Sequence, residues 1–187
     1  MHTTAGSLVL VGLRPTADAT VAARLREAGA VILGKTNLSE WAGGMSLVHH
    51  AGWSARGGQT GNPYKLDRSP NESSSGTGAA VAANLAVAGI GTETNDSILD
   101  PSSANCLVGS KPTVGLVGAR RGHIRRASQD SVGPMARTVR DATVMLGVLA
   151  GPDAREFSAE RGARHFTARL QESLAARIPS LDRGRLR

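Results

Sequence analysis

The run Gly78-Ala79-Ala80-Val81-Ala82-Ala83-Asn84-Leu85-Ala86-Val87-Ala88 is apolar on nearly all sides and holds no side chain bulkier than leucine. A helix of that kind belongs inside a protein, enclosed by other elements. A polar loop lies at each end of it, Ser69-Pro70-Asn71-Glu72-Ser73-Ser74-Ser75-Gly76-Thr77-Gly78 before and Gly91-Thr92-Glu93-Thr94-Asn95-Asp96-Ser97-Ile98 after. Two polar loops anchored to one buried element can place two hydroxyls side by side in a dry pocket. Nucleophilic attack on a carbonyl needs such a pair, because an alcohol reacts only once a neighbouring group takes its proton.

The chain has 187 residues, enough for one ordinary domain. Aromatic residues are only 3% of it, so the core is built from small aliphatic side chains, which favours α/β layering over an aromatic-rich sandwich. The formal charge of +7 is scattered. Its local clusters, Arg120-Arg121, Arg125-Arg126 and the tail from Arg183 to Arg187, lack interleaved aromatics, so a nucleic-acid partner is not expected. One cysteine, Cys106, excludes an internal disulfide and reads as a small packed hydrophobe. His49-His50 reads as a loop pair, because adjacent residues of a regular element do not face one way. Gly57-Gly58 and Gly76-Thr77-Gly78 lack the lysine of a phosphate-binding loop. No cofactor or metal is called for. No stretch approaches the roughly 18 apolar residues of a membrane span, and the N-terminus lacks a charged segment before an apolar run. The expectation is a soluble, cytoplasmic chain of open oligomeric state.

Along the chain, Ser7–Gly12 reads as a strand or an irregular buried segment, which periodicity cannot decide. Asp18–Ala28 reads as an amphipathic helix, with Val21, Leu25 and Ala28 on one face and Gly29 as its stop. Ala30–Gly34 reads as a buried strand, and Asn37 or Ser39 as the cap of a short helix through Glu40 and Trp41. The stretch 43–67 is rich in Gly, Ser, Asn and Pro and has no period, which marks a functional or disordered loop. Strands are expected at Gly89–Thr92 and Leu107–Gly109. A last helix is expected over Thr138–Leu149, with Val139, Ala142, Met145, Leu146 and Leu149 on one face and Gly151-Pro152 as its stop. An amphipathic piece is expected near Phe166–Ala176.

Taken together, Thr3–Ser7, Gly34–Trp41, Gly57–Thr60, the two serine loops, Lys111–Thr113 and Gln129–Val139 resemble, in their order, the amidase signature family. The resemblance runs from about residue 2 to residue 151, and more weakly to about 176. It implies an α/β fold, here a partial amidase-signature fold with a mixed β-sheet flanked by helices, acting on a small-molecule amide. It also implies a Ser–Ser–Lys catalytic set. Ser97 matches the nucleophile, and Ser73, twenty-four residues earlier, matches the bridging serine, whose peptide bond is cis in the family. The backbone N–H groups of Thr94, Asn95 and Asp96 match the oxyanion hole, where losing one donor costs about 10²–10³ in rate. The motif order is shared by free-standing amidases and by the A-type subunits of glutamyl-tRNA amidotransferases.

The sequence also departs from the family pattern. The family lysine lies shortly before the segment that matches Thr3–Ser7, and no residue here aligns with it. Lys35 and Lys111 belong to other, structural motifs. The expectation is an interior fragment, with a core over 1–152 and a charged segment over 153–187 that is partly helical or disordered. The alternative to an active segment is a silent remnant or a binding partner of another chain. Three glycines of the family are replaced by Asn71, Glu72 and Asp96; Asn and Asp tolerate a left-handed backbone, whereas Glu does not. An ionised Asp96 about 6 Å from the oxyanion would cost roughly 3 kcal/mol at an effective dielectric near 20, about a hundredfold in rate. A replacement base at Glu72 or Asp96 would need an apolar pocket around the carboxylate. Leu99 and Asp100 stand where many relatives carry Arg, so recognition of a carboxylate on the substrate is not supported.

Overall fold

The computed structural model describes residues 1–44, 48, 50–118 and 128–151. The segment 153–187, the arginine pairs near 120 and 125, and His49 lie outside the described residues, as does Pro152. The first helix, α1 (Thr20–Glu27), ends as its sequence indicates. Gly29 takes φ +82°, and the N–H groups of Gly29 and Ala30 return to the carbonyls of Arg26 and Leu25. That pair of bonds is a Schellman stop.

A small antiparallel hairpin follows, β1 (Trp53–Ser54) with β2 (Gly58–Gln59). Helix α2 spans Ser75–Ala82 and leads into β3 (Ala88–Glu93). Helix α3 (Leu99–Ala104) is followed by β4 (Val108–Gly109), then β5 (Ser131–Ala136) and α4 (Val139–Leu149). The sheet order is β3-β5-β4, and both pairs are antiparallel. The architecture is therefore mixed α/β, with small antiparallel sheets packed against helices.

The centre of the sheet is a strand for which the sequence carried no clear sign. Every residue of β5 is buried although it contains Gly133 and Pro134. A proline has no N–H to give to a ladder; here the Pro134 carbonyl still accepts from Ser110 N–H at 3.1 Å. A Cβ at Gly133 would strike the Ser110 carbonyl oxygen, so the glycine is what lets the segment before Lys111 lie against β5. Val117, Val132 and Leu149 form the buried core, joined by Val21, Leu25, Ile90, Met145 and Leu146. Thr138 caps α4 by accepting from Asp141 N–H. Ala142, Met145, Leu146 and Leu149 face inward as expected, but Val139 is exposed at the first turn.

Four expectations need correction. The small-residue run is not one enclosed helix: α2 begins earlier, at Ser75, and stops at Ala82. Asn84 takes φ +61°, and the N–H groups of Asn84 and Leu85 close on Val81 and Ala80 in a second Schellman stop, leaving Leu85 and Val87 exposed. Ser7–Gly12 is not a strand, and only Ser7 in it is buried; a 3-10 turn over Leu8–Leu10 follows, with Val9 85% exposed. Ala30–Gly34 forms no strand, and Val31 is 82% and Leu33 73% exposed; no described strand lies beside it to complete a ladder. Cys106 is exposed rather than packed, because it takes φ +54° as the residue that ends α3, its N–H on Ser103 and that of Leu107 on Ser102.

Candidate active site

The first serine loop runs directly into α2, so the helix carries its serines. Gly76 lets the first turn of α2 meet Asn37: a Cβ there would collide with the Asn37 carbonyl oxygen. Asn37 in turn organises the loop over 52–60. Its Nδ2 donates to the carbonyls of Gly52 and Gly58 and to Thr60 Oγ1, and its Oδ1 accepts from Ser54 Oγ at 2.7 Å. Ser39 does not cap the 3-10 turn over Glu40–Gly43; its Oγ accepts from Gly52 N–H at 2.8 Å and donates to Glu72 at 3.3 Å. The long irregular stretch is thus held, where it is described, by side chains of the preceding motif.

The two serine loops touch. Ser74 N–H donates to the Ser97 carbonyl at 3.1 Å. Ser74 Oγ also accepts from Thr92 N–H at 3.2 Å and donates to the Thr92 carbonyl at 3.3 Å. Thr77 Oγ1 donates to the Ile90 carbonyl at 3.0 Å and lies 2.9 Å from Thr36 Oγ1. These hydroxyls fix α2 to β3 and so fix one loop to the other. Gly91 allows the close approach, since a Cβ there would press on Ile98, Met135 and Ser74 Oγ at 2.8–3.0 Å.

Ser73 is 2% exposed, and its carbonyl accepts from Ser39 N–H at 3.0 Å and Ser75 Oγ at 3.4 Å. The Glu72–Ser73 peptide bond is cis. Asn71 and Asp96 both lie in the left-handed region, at φ +57° and +56°, whereas Glu72 is not among the residues that do. Each replaced glycine that needs the left-handed backbone therefore carries the side chain that tolerates it. Ser97 is half-buried, with its hydroxyl donating to the Asn95 carbonyl at 3.3 Å. Among the described residues, the N–H groups of Thr94, Asn95 and Asp96 make no backbone hydrogen bond. They flank a cleft of about 520 Å³ lined by Glu72, Thr94, Asn95, Asp96, Ser97, Asp100 and Gln129, with Ala42. Ser73 itself is buried and is not among the described residues that line the cleft.

What holds the loop of Ser97 is a buried carboxylate whose part in this the sequence did not disclose. Glu93, 3% exposed at the end of β3, accepts from the N–H of Ile98 at 2.7 Å and of Leu99 at 3.0 Å. Lys111 Nζ lies 3.8 Å from its other oxygen and donates to the Thr94 carbonyl at 2.6 Å. Thr94 Oγ1 donates to Asp130 at 2.7 Å, which joins the segment before β5 to the same loop. From the other side, Asn71 Nδ2 donates to Asp100 and Asn105 Nδ2 to the Pro70 carbonyl, tying the first serine loop to α3. The only foretaste in the sequence was an acidic residue directly before a turn whose N–H groups face no strand. Lys35, the other candidate lysine, contacts Thr3 Oγ1, and desolvation holds its ammonium below the usual lysine pKa against the smaller opposing pull of Asp18. Neither Asp96, which is exposed, nor Glu72, beside Ser39, occupies an apolar pocket. Among the described residues no group of His, Cys, Asp and Glu is arranged to hold a metal, and no helix is long and apolar enough to cross a membrane.

Comparison with known proteins shows the family and the fold. The family model described as Amidase matches residues 1–177. A relative from Arabidopsis thaliana named "Probable amidase" is 49% identical over 175 residues, covering 89% of this chain and 34% of its own length. The A-type subunit of the glutamyl-tRNA(Gln) amidotransferase of Thermus thermophilus is 40% identical over 188 residues, covering 100% of this chain and 38% of its own. The solved structure of the native peptide amidase from Stenotrophomonas maltophilia superposes with a TM-score of 0.83 at 52% identity, over 90% of this chain and 35% of that one. The chain thus spans about a third of the length of these relatives. With a family match over nearly all its residues and an amidase fold at this level of identity, the chain belongs to the amidase family.

Proposed function

We propose that this chain carries the nucleophile half of an amide-cleaving site, in which Ser97 attacks the carbonyl and Ser73 relays its proton. Loops anchored to each other through Ser74 and Ser97 support this reading. So do three successive N–H groups, at Thr94, Asn95 and Asp96, that border the cleft and, among the described residues, make no backbone hydrogen bond. Such preorganised donors act where charge develops in the transition state, which is where they accelerate acyl transfer most. The final proton acceptor in this scheme is a lysine that no residue of this sequence supplies: Lys111 is engaged by Glu93 and Thr94, Lys35 rests against Thr3, and Lys65 lies beside Asp67.

The observation that carries the reading is the direct bond between the two loops at Ser74 and Ser97. A fluorophosphonate probe followed by peptide mapping tests it. Covalent labelling at Ser97 that vanishes in Ser97→Ala and drops sharply in Ser73→Ala is the expected result. A cooperatively folded sample that takes no label would instead identify a catalytically silent member of the family. The match to the Thermus protein over the whole chain favours a second reading, a component of an amidotransferase-like assembly. Light scattering on the protein purified from its natural source separates the two, by showing either a single species or a complex with other chains.

A further inference from the structure

The segment that carries Lys111 is fixed to β5 on both sides, by Ser110 N–H on the Pro134 carbonyl at 3.1 Å and by Ser131 Oγ on the Pro112 carbonyl at 2.7 Å. From that base the ammonium donates to the Thr94 carbonyl at 2.6 Å and lies 3.8 Å from one oxygen of Glu93, whose other oxygen accepts from Ile98 and Leu99 N–H. The ion pair therefore clamps the Ser97 turn at both ends. The Thr94 carbonyl shares one planar peptide unit with Asn95 N–H. That unit is trans, the cis bond recorded for the described residues being Glu72–Ser73, so its oxygen and its hydrogen point in opposite directions. Asn95 N–H thus faces away from Lys111, and the described residues lining the cleft include Thr94 and Asn95 but not Lys111. A cation bonded to the carbonyl edge of a peptide draws electron density across it and leaves the N–H at the other edge a stronger donor. Charge-assisted bonds of this kind are about twice as strong as neutral ones.

We propose that Lys111 is a positioning residue for the oxyanion site, aiming and polarising the Asn95 N–H through the Thr94 carbonyl. The proposal rests on the reading of Ser97 as the nucleophile, and it goes beyond that reading by giving a part in the reaction to a side chain outside the cleft. A polarised donor favours an oxygen that is gaining negative charge over the neutral oxygen of the bound substrate. The contribution of Lys111 should therefore appear in reaction rate and not in binding.

A fluorophosphonate tests this on the intact protein when the limiting rate of Ser97 modification and the half-saturating probe concentration are measured separately. In that reaction the Oγ–P bond forms as the P–F bond breaks, fluoride and the hydroxyl proton leave to the buffer, and the phosphoryl oxygen carries added negative charge in between. Lys111→Met should lower the limiting rate about tenfold, less than the loss of a whole donor, and leave the half-saturating concentration unchanged. Lys111→Arg, which keeps a charged donor, should recover most of the rate. The Asn95 amide proton resonance should move upfield in Lys111→Met and return in Lys111→Arg. Denaturant titration first establishes that each variant folds cooperatively, and Lys111→Gln takes the place of Lys111→Met where the latter does not fold. An unchanged limiting rate, or a loss confined to the half-saturating concentration, would overturn the proposal while leaving Ser97 as the nucleophile. If the parent protein takes no probe, the nucleophile reading falls, and the Asn95 resonance decides the polarisation by itself. A resonance that follows the charge at position 111 supports it; one that stays in place overturns it.

Discussion

The serine loops and the apolar N-terminal runs show opposite fates for residues whose hydropathy argues the other way. Ser73, Ser74, Ser75, Thr77, Glu93, Asn105 and Ser131 are buried, while Val9, Val11, Leu13, Val31 and Leu33 stand in the open. Burying an apolar side chain gains about 1.5–3 kcal/mol, and burying an unpaired polar one costs about 1–3 kcal/mol. Hydropathy alone would invert the observed arrangement. The difference lies in partners. Glu93, Ser74 and Thr77 each have backbone groups of a neighbouring element to bond, so the polar loops hold a unique geometry. Val31 and Leu33 have no described strand beside them, so a strand-like sequence stays unpaired. Specific geometry at the site is bought with hydrogen bonds, and it should fail where those bonds are removed.

Glu93→Ala should break this contrast most severely. It strips the acceptor from two N–H groups and leaves Lys111 without its carboxylate, and losing one partner of a buried pair costs about 3–5 kcal/mol. Denaturant unfolding should show that loss. Where the variant still folds, the turn of Ser97 is released, and probe labelling should fall about a hundredfold, as for any misplacement near 1 Å. Lys111→Met, which leaves the two N–H bonds in place, should cost less. If Glu93→Ala proves as stable as the parent, the view that buried carboxylate bonding holds the loop is wrong.

Gly76→Ala comes next. Its methyl group meets the Asn37 carbonyl oxygen, a backbone atom that cannot rotate away. Overpacking of this kind costs about 1–3 kcal/mol, set against a helix-propensity gain of at most about 1 kcal/mol. A net loss of stability by thermal melting is expected, together with increased amide exchange over 52–60, the segment that Asn37 organises.

These two sites also show what a sequence discloses. Helix α1 was legible because its apolar spacing and its stop at Gly29 are both local. The length of α2 was not, since Asn84 does the work of a glycine by adopting the left-handed conformation, and the loop-like stretch Ser75-Gly76-Thr77-Gly78 supplies its first turn. Strand β5 was hidden by Gly133 and Pro134, residues that ordinarily argue against a central strand. The order of motifs pointed to Ser97, Ser73 and the turn at 94–96, and Asn71 and Asp96 take the backbone conformation their side chains suit. Glu93 and Lys111 could not be assigned from sequence, because their contribution is a set of bonds to backbone groups that only the folded chain brings near. Ala30–Gly34 misled for the converse reason: its pattern records a tendency to be buried, not the presence of a neighbour.

The exposed run offers a smaller test of the same contrast. Val31→Ser removes an apolar side chain that is 82% exposed, so it should change stability by no more than about 0.5 kcal/mol. A larger loss on chemical denaturation would mean that the run is covered in solution, and the comparison with the serine loops would have to be redrawn.

The finest test concerns Lys35, whose ammonium contacts Thr3 beside the exposed apolar runs. Desolvation lowers its folded-state pKa below the ordinary lysine value of 10.5. Between the lowered value and 10.5 the unfolded chain binds more protons than the folded one, so stability rises with pH across that window. Below it the ammonium is charged in both states, and the folded chain bears the whole desolvation cost. Lys35→Gln keeps a hydrogen-bond donor for Thr3 without the charge. It should therefore be slightly more stable than the parent at neutral pH, with the advantage fading as pH climbs through the window toward 10.5. Paired urea titrations at neutral and alkaline pH measure that crossover. An advantage that grows with pH would show that the Thr3 contact stabilises the charged ammonium by more than its lost hydration.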